Sequence, residues 1–348
     1  MAWERASTGV YVLELAGQDD AFAAYEAEQA ASDVRVVAPG LARARGITDR
    51  VRDLAFTHRV SDLVGRATAD PGAELTVAEV RAVLEAATID REGTVAVRAV
   101  DVRGTTGIDT QRVERDLGQV LVDRGFAVDL DDPDHELRVL FSREQGREGN
   151  TEADGGTVCL LGWLAVETPR EFTGRAPTGR PFFQPGSMDP MLARSLTNVA
   201  GARDGATVLD PMCGTGGILI EAGLVGADVL GVDIQRKMVR GTRENLAHAL
   251  DGGWDVVRAD ASSLPIADGA VDAVVFDAPY GRQSKIEGNL GALVEGALTE
   301  ARRVAPRCVV VGDRPWARPA SAAGWTVEGS FERRVHRSLT RYVLVLRR

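Results

Sequence analysis

Apolar residues change their spacing along the chain, and the changes divide it. Up to about residue 48, short alternating runs around Val10, Val12, Leu13 and Leu15 predict strand, and the Ala-rich stretch from Asp20 to Ala31 predicts a helix, together a small α+β unit. A second unit follows from Val51 to about Ser142. It holds an amphipathic helix at Leu75 to Ala87, a strand at Thr94 to Val100, a helix from Asp109 to Asp123 and a strand at Glu136 to Phe141. In the 109–123 helix, Val113, Leu117, Val120 and Leu121 share a face, Asp109 or Thr110 can cap the start, and Gly125 can end it. The strand Val139 to Phe141 is expected beside Val95 to Ala99.

Residues 143–157, SREQGREGNTEADGG, are polar and Gly-rich and predict a surface loop. The segment from Val158 to Gly186 is expected to connect; its second half carries four prolines after Thr168, which keep it out of regular structure. From Ser187 onward the pattern alternates between helix (188–200), strand (207–210), helix (218–223), strand (229–233), helix (238–249) and strand (271–277). Alternation of this kind predicts an α/β, doubly wound, largely parallel sheet. The ending, Trp325 to Leu346, reads as an antiparallel hairpin.

Composition narrows the function classes. A length of 348 residues allows two or three domains, and 44% apolar with 26% charged residues suits a globular protein. The longest apolar runs fall well short of the ~18 residues of a membrane span. The start shows no basic stretch, apolar segment and cleavage site in series, so the expected location is the cytoplasm. Cys159, Cys213 and Cys308 are isolated and the four histidines are scattered, which argues against both a disulfide framework and an intrinsic metal site. Of 41 basic residues only Lys237 and Lys285 are lysine, and 51 acids bring the formal charge to −10, a balance that resembles a salt-loving archaeal proteome. The charge is unevenly placed. Residues 1–150 hold 28 acids and 18 bases, whereas the last 48 residues hold 3 acids and 11 bases, so a basic surface for nucleic acid stays open.

The segment TVLDPMCGTGGILIEAG (207–223) carries the strongest chemical signal. A β-branched strand ends in Asp210, a tight loop holds Cys213, Gly214, Thr215, Gly216 and Gly217, and a helix begins. Glycines let backbone approach a ligand, and helix-start N–H groups meet its polar end. A dinucleotide fingerprint needs Gly or Ala where Leu219 stands, and no Gly-Lys-Ser/Thr follows to make a P-loop. The acid before the loop favours a cationic or amine-bearing ligand, and S-adenosylmethionine fits. Asp233, ending the next strand 19 residues after Gly214, stands where an acid receives ribose hydroxyls, and Asp260 can accept from an adenine amine or simply form a turn. In VDAVVFDAPYGR (271–282), a strand delivers Asp277, Ala278, Pro279 and Tyr280 to the same sheet edge. Two acceptors, the Asp277 carboxylate and the Ala278 carbonyl, around an exocyclic base amine favour a lone pair aimed at a methyl donor, with Tyr280 as stacking surface for a flipped base. Asp-x-Pro-Tyr alone is also a plausible β-turn; its position downstream of the glycine loop supports the catalytic reading.

DPMCGTGG followed by DAPYG resembles the Rossmann-like guanine-N2 RNA methyltransferases. Over nearly its whole length, with LAFTHRVSDLV (54–64), RPFFQPGSMDPMLARSLTNVAG (180–201) and HRSLTRYV (336–343), the chain resembles the archaeal tRNA guanosine-10 N2-methyltransferases. That resemblance implies a ferredoxin-like part (1–50), a THUMP RNA-binding domain (51–143), a linker (144–186) and a methyltransferase domain (187–348) with a mostly parallel seven-stranded sheet. It implies cofactor contacts from Phe183, Pro185, Ser187, Asp210, Cys213, Gly214, Thr215, Gly216, Asp233, Ile234, Asp260, Ala261 and Asp277. Catalysis falls to Asp277–Tyr280, and Tyr280, Arg282, His336, Arg337 and Ser338 are expected to meet RNA. The expected activity is transfer of one or two methyl groups from S-adenosylmethionine to N2 of guanosine 10 in tRNA. Another RNA guanosine, or a tRNA-binding protein with a decayed site, is the alternative. Eukaryotic relatives use a small zinc-ribbon activator, so such a partner is left open for this chain. The family usually has proline where Ala278 stands, which predicts a less rigid catalytic loop.

Overall fold

The computed structural model describes residues 9–143, 155–279, 290–336 and 339–348. The chain divides into two compact units, Met1–Pro169 and Arg170–Arg348.

In the first unit the elements are β1 (Val10–Leu15), α1 (Asp20–Ala27), β2 (Ala31–Ala38), β3 (Leu41–Ile47), β4 (Thr57–Ala69), α2 (Val77–Ala86), β5 (Thr94–Asp101), α3 (Thr110–Asp123), β6 (Ala127–Val128), β7 (His135–Arg143) and β8 (Thr157–Glu167). Among the described residues, one eight-stranded sheet runs β2-β3-β1-β4-β8-β7-β5-β6. The two small α+β units expected up to residue 142 therefore share a sheet, joined through the long strand β4. The expected linker at 144–186 also changes, because its residues 157–167 form β8, a central strand paired with both β4 and β7. The reason is burial on both faces. Cys159, Leu161 and Trp163 pack with Val80, Leu84, Val113 and Leu117 of α2 and α3, while Val158 and Leu160 pack with Val12, Leu41 and Leu140 on the opposite face. A strand covered on both sides loses its alternation and reads as a continuous apolar run.

The helix expected to reach Ala31 stops at Ala27, since Ala31 pairs with Ile47 at the start of β2. Tertiary pairing overrides alanine's helix propensity there. Helix α3 follows its pattern closely: the Asp109 side chain accepts from the Arg112 N–H, and Val113, Leu117, Val120 and Leu121 are buried. The parallel pairing of β5 with β7 sets Ala99 against Val139.

The second unit contains α4 (Pro190–Ala200), β9 (Thr207–Asp210), α5 (Gly217–Gly223), β10 (Asp228–Asp233), α6 (Arg236–Ala249), β11 (Trp254–Arg258), β12 (Ala273–Asp277), α7 (Leu290–Val304), β13 (Arg307–Gly312), α8 (Ala317–Ala322), β14 (Thr326–His336) and β15 (Leu339–Arg347). The sheet order is β11-β10-β9-β12-β13-β15-β14. Strands β9 to β13 pair in parallel, and β15 is antiparallel to both of its neighbours. A core of Leu209, Val232, Val274, Phe276, Leu298, Val310 and Leu344 fills one face. The chain leaves β9 toward β10 and β11, then returns to β12 on the other side of β9. Ligands in open α/β sheets bind at the carboxyl ends beside such a reversal. Asp210, Asp233 and Asp277 are the last residues of β9, β10 and β12. No helix among the described residues is long and apolar enough to cross a membrane.

Candidate active site

At this reversal lies a cavity of about 480 Å³, within the range of about 300–1,000 Å³ usual for small-molecule sites. Of the residues singled out from sequence, Pro185, Ser187, Asp210, Cys213, Gly214, Thr215, Asp233, Ile234, Asp260, Ala261, Asp277, Ala278 and Pro279 line it. Gly216 does not. It begins α5 with φ +79, and a Cβ there would come within 2.8 Å of Thr242 Cγ2. Gly214 also has positive φ, +52, but an added Cβ would meet nothing closer than the Met212 carbonyl at 4.0 Å, so its missing side chain leaves open space above the loop.

Phe183 is a correction. It is 42% exposed and does not line the cavity. Its neighbour Phe182 turns inward onto α6, where a Cβ on Gly241 would lie 2.0 Å from the ring. The Asn245 amide fixes that neighbour, accepting from the Phe182 N–H at 2.9 Å and donating to the Phe182 carbonyl at 2.8 Å. Tyr280, Arg282, Arg337 and Ser338 lie outside the described residues. His336 ends β14, and its side chain is likewise outside the description. Part of the basic tail is engaged within its own unit. Arg303, Arg314, Arg341 and Arg347 pair with acids, and Arg302 donates to the Gly324 carbonyl.

Four carboxylates, those of Asp210, Asp233, Asp260 and Asp277, give the cavity its chemistry. Asp210, 2% exposed, accepts from the Met212 N–H at 3.0 Å. Burial, with Asp233 and Asp277 nearby, pushes its carboxyl well above the usual range. Asp233 accepts from the Gly214 N–H at 3.1 Å and the Gln235 N–H at 2.8 Å, yet burial raises it as well. Asp260 accepts from the Ser262 N–H and hydroxyl, which hold it low. The turn role and the cavity-facing role of Asp260 therefore coexist. Two buried acids that resist ionisation suit a ligand bringing positive charge and hydroxyl donors, and the open space over Gly214 admits it. S-adenosylmethionine meets both requirements. Cys213 lines the wall as a buried thiol that burial pushes up, out of nucleophile range.

Several supports were not read from the sequence. Thr242 and Asn245, a turn apart on α6, donate to the successive loop carbonyls of Gly214 (2.6 Å) and Thr215 (2.8 Å), which fixes the loop's peptide planes. Ser187 meets Thr215 hydroxyl to hydroxyl at 3.0 Å. Beneath the loop, the fully buried Glu221 carboxylate takes Arg175 at 2.8 Å and Arg194 at 2.9 Å, joining the proline-rich segment to α5 and α4. Met212, Met238, Met188 and Leu293 supply apolar wall. Polar residues on otherwise buried helix faces, such as Asn245 and Glu221, were the available signal.

At Ala278, the N–H that a proline would lack donates to the Val311 carbonyl at 2.8 Å and prolongs the β12-β13 ladder by one residue.

Comparison with known proteins gives the family. A family model described as RMKL-like, methyltransferase domain matches residues 177–342. The tRNA (guanine(10)-N2)-dimethyltransferase of Methanothermobacter thermautotrophicus is 34% identical over 305 residues, 85% of this chain and 83% of that protein. The chain belongs to the tRNA (guanine(10)-N2)-dimethyltransferase family. A further member, from Pyrococcus abyssi, is 30% identical over 73% of this chain and 74% of its own length. The crystal structure of TrmN from Thermus thermophilus shares the fold, with a TM-score of 0.51 and 23% identity over 97% of this chain and 99% of that one. Like the rest of its family, the chain is a methyltransferase, and its cofactor is S-adenosylmethionine.

Proposed function

We propose that this enzyme methylates the exocyclic N2 of guanosine 10 in tRNA, once or twice. The observation that carries the reading is the meeting, in one cavity, of the cofactor-type acids Asp210, Asp233 and Asp260 with Asp277, Ala278 and Pro279. When bound, S-adenosylmethionine would supply the electrophilic methyl group, its methyl–sulfur bond breaking as the new N–C bond forms and S-adenosylhomocysteine leaving. Asp233 would accept the ribose hydroxyls, Asp260 the adenine amine, and Asp210 would face the cationic end. Asp277 Oδ and the Ala278 carbonyl accept from the guanine N2 hydrogens, which localises the nitrogen lone pair; Asp277 takes the released proton, directly or through water, as the N–C bond forms. The methionine-lined wall and buried Cys213 keep bulk water from the reacting atoms.

The eight-stranded unit is read as the ferredoxin-like and THUMP parts that hold the tRNA, and a tRNA substrate supports a cytoplasmic location. The test is transfer of labelled methyl from S-adenosylmethionine to a tRNA transcript, with the product mapped by mass spectrometry. Label at N2 of guanosine 10, lost when that position is changed to adenosine, is the expected result. Label at another nucleotide refutes the assignment. Full turnover by the purified chain removes the zinc-ribbon activator from the reading.

A further inference from the structure

Asp277, Val311 and Val343 stand in one row across β12, β13 and β15. Side chains on a strand repeat every second residue, so Arg341, two residues beyond Val343 toward the carboxyl edge, points to the same face as Asp277. Strand β13 ends at Gly312, opposite Tyr342, and places no side chain between them. The Arg341 side chain reaches over that short strand and brings its Nη2 to 3.8 Å from Asp277 Oδ2. Arg341 is only 7% exposed, and Arg333 of β14 stands directly opposite it. A guanidinium keeps its charge in such a place, so two cations border the edge at which Asp210, Asp233 and Asp277 converge.

Burial, with Asp233 and Asp277 nearby, disfavours ionisation of Asp210, so negative charge is crowded at this edge. A carboxyl that must accept hydrogen bonds from an amine and then its proton is useless when protonated. Resting on the reading of Asp277 given above, we propose that Arg341 is the positioning residue of this site, a buried cation that pairs with the Asp277 carboxylate and holds it in place for the guanine amine. It acts through Asp277 and has no part in cofactor binding.

The test compares Arg341→Met, Arg341→Lys and Asp277→Asn in the full-length enzyme, with kcat on tRNA, KM for S-adenosylmethionine, cofactor binding by calorimetry, and thermal melting. Arg341→Met is expected to lose about 100-fold in kcat, the scale of a disabled proton acceptor, while cofactor KM and binding stay within about twofold of wild type. Arg341→Lys, which restores the charge with a different shape, is expected to recover at least about tenfold of that loss. Wild-type kcat in Arg341→Met overturns the proposal. So does a parallel loss of cofactor binding, or an Arg341→Lys variant that melts like wild type and turns over no faster than Arg341→Met. If Asp277→Asn keeps wild-type turnover, the reading of Asp277 itself has failed, an outcome separate from an inactive Asp277→Asn beside a fully active Arg341→Met.

Discussion

The backbone N–H of Ala278 donates to the Val311 carbonyl at 2.8 Å, carrying the sheet ladder one residue past Asp277. Where a proline ring would stiffen this position, the chain ties it to the neighbouring strand.

Ala278→Pro is therefore expected to destabilise the protein. It removes the donor from a carbonyl on the fully buried Val311, at a cost of about 1–3 kcal/mol. Stiffening the unfolded chain returns only about 0.4–1 kcal/mol. Urea denaturation measures the difference, and a variant more stable than wild type would show that the ladder bond contributes little.

Cofactor affinity is expected to rise with pH through the raised range of Asp210 and Asp233. Because burial lifts both carboxyls, the unliganded fold is favoured at lower pH, where they are protonated, and loses stability as pH climbs through their raised values. A cationic ligand favours the ionised forms, so binding releases protons above the ordinary aspartate value of about 3.9. Calorimetry in two buffers of different ionisation enthalpy detects the release. Asp210→Asn should abolish most of it and weaken binding about tenfold to a hundredfold, from the roughly 1.5–3 kcal/mol of a charge-assisted hydrogen bond.

Glu221 joins Arg175 and Arg194 in the interior. Glu221→Ala leaves two arginines facing each other across an apolar gap and should cost about 3–5 kcal/mol. The expected readout is a large fall in the denaturation midpoint; a loss below about 1 kcal/mol, as for an exposed pair, would mean that water replaces the carboxylate there.

Asn245→Asp changes one atom's chemistry and keeps the shape. The amide donates to the carbonyls of Phe182 and Thr215, and a carboxylate can only repel them. Cofactor KM should rise at least about tenfold, as expected for two lost buried hydrogen bonds of about 1 kcal/mol each, with kcat at saturating cofactor little changed. A fall in kcat at unchanged KM contradicts a role confined to the cofactor loop.

The residues whose roles are local were legible early. Asp109 caps its helix as the pattern requires, and the glycine loop after Asp210 and the acid ending β10 line the cavity. Other features depend on neighbours distant in the chain. Phe182 and Phe183 are adjacent and chemically identical, and only the space over Gly241 decides which one packs. Strand β8 reads as a connector until two cores cover it from opposite sides.

By itself, the sequence determined the alternation of elements, the tight loop that needs glycine, and the residue types delivered to the strand ends, because period, turn geometry and side-chain chemistry are properties of short segments. The tertiary structure alone decided that β1 to β8 share one sheet, that Ala278 is tied to Val311, and that Arg341 reaches Asp277 across β13. Those relationships depend on strand order and register, which are set by which distant segments pack together and leave no periodic trace in either partner.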